Sequence, residues 1–369
     1  MEHPNAVEYF LGANSPSGFY SLYDQLLPPE RARRIYILKG GPGCGKSTLM
    51  RRVAQSMEES GIGVERILCS GDPGSLDGVV IPTLETALVD GTAPHVVEPK
   101  YPGAVERYVN LGDCYDSEAL QSLRHEIMTC MKGYKGCYQR AYRCLGAAAE
   151  IGKDARATLL TETLEQRLAK RAKGILAREI KAKPGEESGK VKQRFLNAVT
   201  HRGVIALYHT VQTQCEKVYE LVDRWGLAHE LLTHLLSGLV RGGYDVVVCP
   251  DPMSPKHLAH ILVPELSLAF VSSTPEHPYP DTPYRRIKLD TLVEEELLHA
   301  NRTRLKFARK VSAALVEEGV DSLAQAKAMH DDLEGIYNPH VDFERVEEIA
   351  REITAEIAAL SDSDVQSRA

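Results

Sequence analysis

Ile35-Tyr36-Ile37-Leu38-Lys39-Gly40-Gly41-Pro42-Gly43-Cys44-Gly45-Lys46-Ser47-Thr48 is the stretch on which the fold turns. Gly40, Gly45, Lys46 and Ser47 meet the G-x-x-x-x-G-K-[ST] spacing of a phosphate-binding loop. The glycines let successive backbone N–H groups turn inward without a Cβ clash and form an anion nest. In such a loop Gly40, Gly41, Gly43, Cys44, Gly45, Lys46, Ser47 and Thr48 surround the phosphates. Lys46 reaches the β and γ phosphates, and the Ser47 hydroxyl ligates Mg²⁺. The flanks agree with this reading. Ile35–Leu38 is an apolar β-rich run, and Leu49, Met50, Val53, Ala54 and Met57 recur at helical spacing up to Gly61. Strand, loop and helix stand in the order that directs the helix's positive end at a bound phosphate.

The rest of the chain is consistent with two α/β units. Its 369 residues suit about two domains. It opens without a secretory pattern and holds no run of roughly 18 apolar residues. Its eight cysteines form no C-x-x-C pair or zinc spacing. A cytoplasmic, non-membrane protein is therefore expected. Cys130, Cys137 and Cys144, seven apart, suggest a buried helix stripe. The net charge of −7 gives no global case for nucleic-acid binding.

The chain also repeats itself. Phe10–Tyr23 aligns without gaps on Phe195–Tyr208 at an offset of 185 (195 − 10), with six of fourteen positions identical; about one is expected by chance. Further on, Cys69, Asp72 and Pro73 match Cys249, Asp251 and Pro252, and Pro82, Leu84, Ala87 and His95 match Pro264, Leu266, Ala269 and His277. Each copy runs into a long helical segment. The expected organisation is a phosphate-loop NTPase unit with helical appendage over 1–181, a linker over 182–190, and a related unit over 191–369, both with parallel sheets.

The second copy is degenerate. At an offset of 183, Gly40, Gly45, Lys46 and Ser47 become Asp223, Ala228, His229 and Glu230, and Trp225 replaces Pro42. Acidic side chains there repel phosphate, and the indole is expected to fill the loop. Thr86-Ala-Leu-Val-Asp90 is an apolar strand ending in an acid, the form of the motif whose Asp holds Mg²⁺. Its counterpart Leu268–Ser272 lacks the acid. Loss of Asp90 together with Lys46 and Ser47 makes Asp90 the preferred Mg²⁺ partner, with capping of the next turn as its alternative role. Asp72 is the second choice; Asp77, read as lying in a glycine-rich loop whose counterpart carries Lys256 and His257, is a weaker one. His95, kept as His277, reads as a packed imidazole.

The duplicated Phe-Leu-x-Ala hairpin, the Ile35–Thr48 loop and Asp90-Gly-Thr-Ala-Pro-His95 resemble an uncharacterised bacterial family. That family occurs mainly in Gram-positive spore formers and is usually labelled only as an ATPase or ATP-binding protein. The resemblance covers nearly the whole chain and implies ATP binding. Many members of that family keep a glycine-lysine loop in the second half as well; this sequence departs there.

ATP is favoured over GTP because no Asn/Thr-Lys-x-Asp guanine reader is present. Asp90 is followed by Gly91 rather than a water-polarising glutamate, so turnover would need a base or an arginine from elsewhere. Arg140 and Arg143 are the candidates, with solvated surface positions as their alternative. A slow Mg²⁺-dependent ATPase switch, a kinase acting on a small acceptor, and a non-hydrolysing ATP sensor all stay open. Residues 121–190 carry 15 Lys/Arg and 8 Asp/Glu (15 − 8 = +7), whereas 291–360 carry 8 and 15 (8 − 15 = −7). The two appendages could attract one another within a chain or between two chains. The rival reading is nucleic acid on the basic one, stacked on Tyr134, Tyr138 and Tyr142.

Overall fold

The computed structural model describes residues 6–181, 183 and 187–368, with side chains to residue 360. Of the expected linker, residues 182 and 184–186 lie outside the described residues.

The first half begins with β1 (Val7–Phe10) and a hairpin of β2 (Gly12–Ser15) and β3 (Gly18–Ser21). Then follow β4 (Arg34–Lys39), α1 (Lys46–Glu59), β5 (Glu65–Leu68), β6 (Leu76–Ile81), β7 (Thr86–Asp90) and β8 (Glu106–Asn110). The sheet order is β1-β5-β6-β7-β4-β8. Strand β4 lies between β7 and β8 and runs parallel to both. It is apolar over Ile35–Leu38 because both its faces are covered. Helix α1 buries Leu49, Met50, Val53, Ala54 and Met57, and Gly61 at φ +76° takes the left-handed position beyond its end.

The sheet is mixed rather than wholly parallel. Strand β6 runs antiparallel to β5 and β7. Its connections, residues 69–75 and 82–85, are too short for the crossover that a parallel neighbour needs.

Helices α2 (Ser117–Ser122), α3 (Arg124–Leu159) and α4 (Glu162–Glu179) come next. The second half repeats the scheme with β9 (Val191–Gln193), β10 (Asn197–Thr200), β11 (Gly203–Ala206), α5 (Tyr208–Gln214), β12 (Lys217–Val222) and α6 (Ala228–Arg241). It continues with β13 (Val246–Asp251), β14 (Ser254–Val263), β15 (Leu268–Ser273) and β16 (Arg285–Lys288), then α7 (Glu295–Ala300), α8 (Arg302–Tyr337) and α9 (Phe343–Arg368). Its sheet order, β16-β12-β15-β14-β13-β9, is that of the first sheet when each strand is replaced by its counterpart. The two halves meet at equivalent residues: Phe10 and Phe195 exchange both backbone hydrogen bonds (2.9 and 2.8 Å).

The long helices tie the halves together. Helices α3 and α8 have 36 residues each and lie antiparallel, with Cys130 against Met329, Ala148 against Ser312 and Asp154 against Arg304. Small residues line the seam, including Ala141, Ala148, Gly319, Ser322 and Ala326. The ion pairs Arg140–Glu318 and Arg304–Asp154 are exposed at its rim, where each adds little. Cys130 and Cys137 turn toward Met329 on α8.

Beyond the seam the terminal helices cross over. Helix α4 buries Leu164, Leu168, Ala172 and Ile175 in the core of the second sheet. Helix α9 places Ala350, Ile353 and Ile357 in the core of the first. Each sheet is thus completed by a helix from the other half.

Candidate functional site

The Gly40–Thr48 loop joins β4 to α1 at the C-terminal edge of the first sheet. Gly43 (φ +69°) and Gly45 (φ +85°) hold left-handed conformations that an L side chain would strain. A Cβ at Gly40 would lie 2.6 Å from Cys44 Sγ, and one at Gly41 2.9 Å from the Tyr115 hydroxyl. Backbone conformation favours glycine at Gly43 and Gly45, and crowding by the Cys44 and Tyr115 side chains favours it at Gly40 and Gly41.

Lys46 Nζ folds back over the loop. It donates to Gly40 O (2.7 Å) and Gly41 O (2.8 Å) and lies 3.6 Å from Asp90 Oδ2. Asp90 ends β7 opposite Leu38 of β4, and that register places it beside the loop. Its Oδ1 accepts from Thr92 N (2.8 Å) and Thr92 Oγ1 (2.6 Å), so it caps the following turn as well. Ser47 Oγ accepts from Leu76 N (2.9 Å), and Thr48 is exposed.

Two further residues join this group. His95 Nε2 lies 3.0 Å from Asp77 Oδ2, which also accepts from the Tyr23 hydroxyl at 2.8 Å. Asp77, Asp90 and His95 are all buried and bring ligand atoms within 4.8 Å of one another. His95 Nδ1 is buried without a hydrogen-bond partner among the described residues. Burial works against ionisation of both Asp77 and His95, but their mutual attraction wins: the Asp77 carboxyl is held below its ordinary range and the imidazole above its own.

Asp77 lies on strand β6, not in a glycine-rich loop. With Pro82 on Pro264 (264 − 82 = 182) its counterpart is Ala259, so Asp77 disappears from the second half together with Lys46, Ser47 and Asp90. Aligning β6 with β14 in that register is the signal that finds it. His277, the counterpart of His95, is exposed.

Asp72 stands apart from this group. It accepts from Gly74 N (3.1 Å) and Ser75 Oγ (3.0 Å) and lies 3.6 Å from Lys327 Nζ. Burial raises its pKa, but the Ser75 hydroxyl and Lys327 outweigh that and hold it low.

Arg140 and Arg143 are not brought to the loop. Both are exposed on α3, and Arg140 pairs with Glu318 in the middle of α8. The residues that do reach the loop from a helical appendage come from the other half. With its amide nitrogen toward the loop, Asn338 donates to Gly43 O (3.0 Å) and Glu334 O (3.2 Å). Val346 and Phe343 lie against Gly45, and the Tyr115 hydroxyl donates to Pro42 O (3.1 Å) while its ring meets Tyr337. The α8–α9 turn therefore sits directly on the glycine loop.

Tyr134, Tyr138 and Tyr142 form no open stacking platform. Tyr134 packs on His330, Tyr138 approaches Gly71, and the Tyr142 hydroxyl donates to Asn14 Oδ1 (3.1 Å).

In the second half the equivalent loop is occupied by its own side chain. Asp223, which replaces Gly40, accepts from Trp225 N (3.1 Å), Leu227 N (3.0 Å) and Ala228 N (2.7 Å). A carboxylate takes the place the nest offers to an anion. The indole of Trp225 does not fill the loop; it packs on the core of the second half. His229, in the place of Lys46, stacks on His257 with ring centroids 4.3 Å apart. Arg156 from α3 reaches His257, and both imidazoles line a cavity of about 520 Å³. Burial and the Arg156 charge depress the His257 pKa to about 4.

Among the described residues no helix is long and apolar enough to cross a membrane. Comparison with protein-family models, curated proteins and solved structures finds no match to this chain.

Proposed function

We propose that the chain is a Mg²⁺-dependent ATP-binding protein, a slow ATPase acting as a conformational switch, with one phosphate-loop site in its first half. The observation that carries this reading is Lys46 Nζ held 3.6 Å from Asp90 Oδ2, above left-handed glycines, where β4 and β7 end side by side. The two loop carbonyls that Lys46 now satisfies are interactions it can exchange for phosphate oxygens. Ser47 and Asp90 are the residues that would hold Mg²⁺. The ion neutralises charge on the β and γ phosphates when bound.

The α8–α9 turn supplies the switch. Asn338 lies on Gly43, so a phosphate entering the nest and a turn resting on it compete for the same loop. No glutamate follows Asp90, which supports slow rather than rapid turnover.

Incubation with γ-labelled ATP, with and without cell extract, separates free phosphate release, transfer to an acceptor and bare binding. Slow release of free phosphate is expected. Lys46→Ala should abolish it and weaken ATP binding at least tenfold while the chain stays folded by circular dichroism, with a lowered melting temperature because Lys46 also bonds the Gly40 and Gly41 carbonyls and lies beside Asp90. Unchanged affinity in Lys46→Ala would overturn the site. Transfer to an acceptor would replace the switch with a kinase.

A further inference from the structure

The repeat provides an internal control on the surface between each sheet's edge strand and the helix that crosses over to it. In the first half that place lies between β8 and α9. Tyr36 on β4 donates its hydroxyl to Glu356 (2.8 Å), and Arg107, opposite Tyr36 in the β4–β8 register, donates to the same carboxylate (2.7 and 2.9 Å). Helix α9 brings acids, and the cation is neutralised.

In the second half the same place lies between β16 and α4. Tyr219 replaces Tyr36, and Arg285, opposite Tyr219 in the β12–β16 register, replaces Arg107. Helix α4 brings Arg167, Lys170, Arg171 and Arg178 to this position. With Arg285 and Arg286 they line a groove of about 580 Å³ that, among the described residues, no acidic side chain lines. Arg286 pairs with the buried Glu220, and Arg167 donates to Leu292 O (2.8 Å). The Tyr219 hydroxyl accepts from Arg178 (3.4 Å) and donates to Glu179 of α4 (2.6 Å), as Tyr36 does to Glu356. Lys170 and Arg171 make no hydrogen bond or ion pair with the described residues. Arg285 lies over the ring of Tyr284, 5.3 Å from its centroid.

Both surfaces hold a carboxylate on the tyrosine, but the first pairs Arg107 with it whereas the second gathers six cations around the groove, an excess that folding of the same scaffold does not require. Convergent cations repel one another and lower stability. Their retention in a chain of net charge −7 points to a polyanion. Five of the six are guanidinium groups, whose planar fork matches phosphate oxygens. Tyr284, at the rim, is 47% exposed; Lys217 and Arg285 lie over its ring, and a base not already stacked in a duplex would stack there by displacing one of them.

We propose that the groove between α4 and β16 binds single-stranded nucleic acid, with its cations on successive phosphates and a base on Tyr284. The site is separate from the glycine loop and does not depend on the ATP reading.

Fluorescence anisotropy of the full chain with a labelled oligonucleotide of roughly 16 residues tests it. Binding should weaken steeply between about 50 and about 200 mM salt. Lys170→Glu/Arg171→Glu/Arg285→Glu should lower affinity at least tenfold and flatten the log–log salt slope by ~2, at ~0.7 for each phosphate no longer neutralised. Tyr284→Ala should lower single-strand affinity roughly tenfold and leave duplex affinity unchanged. The equal-charge control Lys132→Glu/Lys135→Glu/Lys153→Glu on α3 should bind within about twofold of the parent, as its cations lie off the groove. Circular dichroism of each variant verifies the fold. Three results would overturn the proposal: no binding at low salt, an equal loss in the α3 control, or competition by polyglutamate as effective as by RNA. The last would assign the groove to an acidic protein.

Discussion

Single residues decide what each of the two loops holds. Lys46, Asp77, Asp90 and His95 form one connected group, while Asp72 is held outside it by Ser75 and Lys327. On the ATP reading, Asp90→Asn should weaken Mg²⁺-dependent ATP binding roughly tenfold, whereas Asp72→Asn should stay within about twofold. Calorimetry with and without Mg²⁺ measures both; the reverse ranking would make Asp72 the metal-side acid. In the second loop Asp223 satisfies three backbone N–H groups, and its carboxylate is buried. Asp223→Ala should therefore destabilise the chain by about 2 kcal/mol or more, because those donors lose their acceptor away from water. Urea unfolding reads that loss. For the same reason His229→Lys with Glu230→Ser should not create a second ATP site while Asp223 remains, a result that binding stoichiometry would show.

At the scale of elements, the strand–loop–helix over Ile35–Met57 was legible because periodicity and glycine spacing are local properties. The duplication was legible because Phe10–Tyr23 and Phe195–Tyr208 kept their spacing. The antiparallel course of β6 was not, since an apolar run looks the same in either direction. Nor was the Asp77–His95 contact, which depends on how β6 and β7 fold back on each other. Strand β14 carries a further consequence. His260 is fully buried there; its Nδ1 accepts from Ser272 N (3.2 Å) and its Nε2 has no partner among the described residues. Burial lowers its pKa from 6.5 to about 3, so the folded chain keeps it neutral while the unfolded chain protonates it near 6.5. This contribution is intact above pH 6.5 and is lost as pH falls toward 3, with a slope of up to ~1.4 kcal/mol per pH unit. His260→Asn keeps an acceptor for Ser272 and removes the titration. Its urea midpoint should fall less between neutral and acid pH than that of the parent.

For the whole molecule, the exchange of α4 and α9 makes sequence halves and packing halves different things. Sequence could not reveal this, because an amphipathic helix records that it has an apolar face and not which sheet receives it. Ile353→Ala in α9 should destabilise the first sheet by about 2–5 kcal/mol although it is encoded in the second half. The check is whether amide exchange accelerates on α1 and β4; acceleration confined to α6 and β12 would contradict the packing. The crossover also bears on synthesis at the ribosome. The face of the first sheet that receives Ile353 and Ile357 is made early and waits for α9, roughly 15–60 s at about 5–20 residues per second. Throughout that interval the nascent chain carries an uncovered apolar surface. This gene product is therefore expected to engage holding chaperones while it is being translated, and to be sensitive to anything that stalls elongation before α9 emerges.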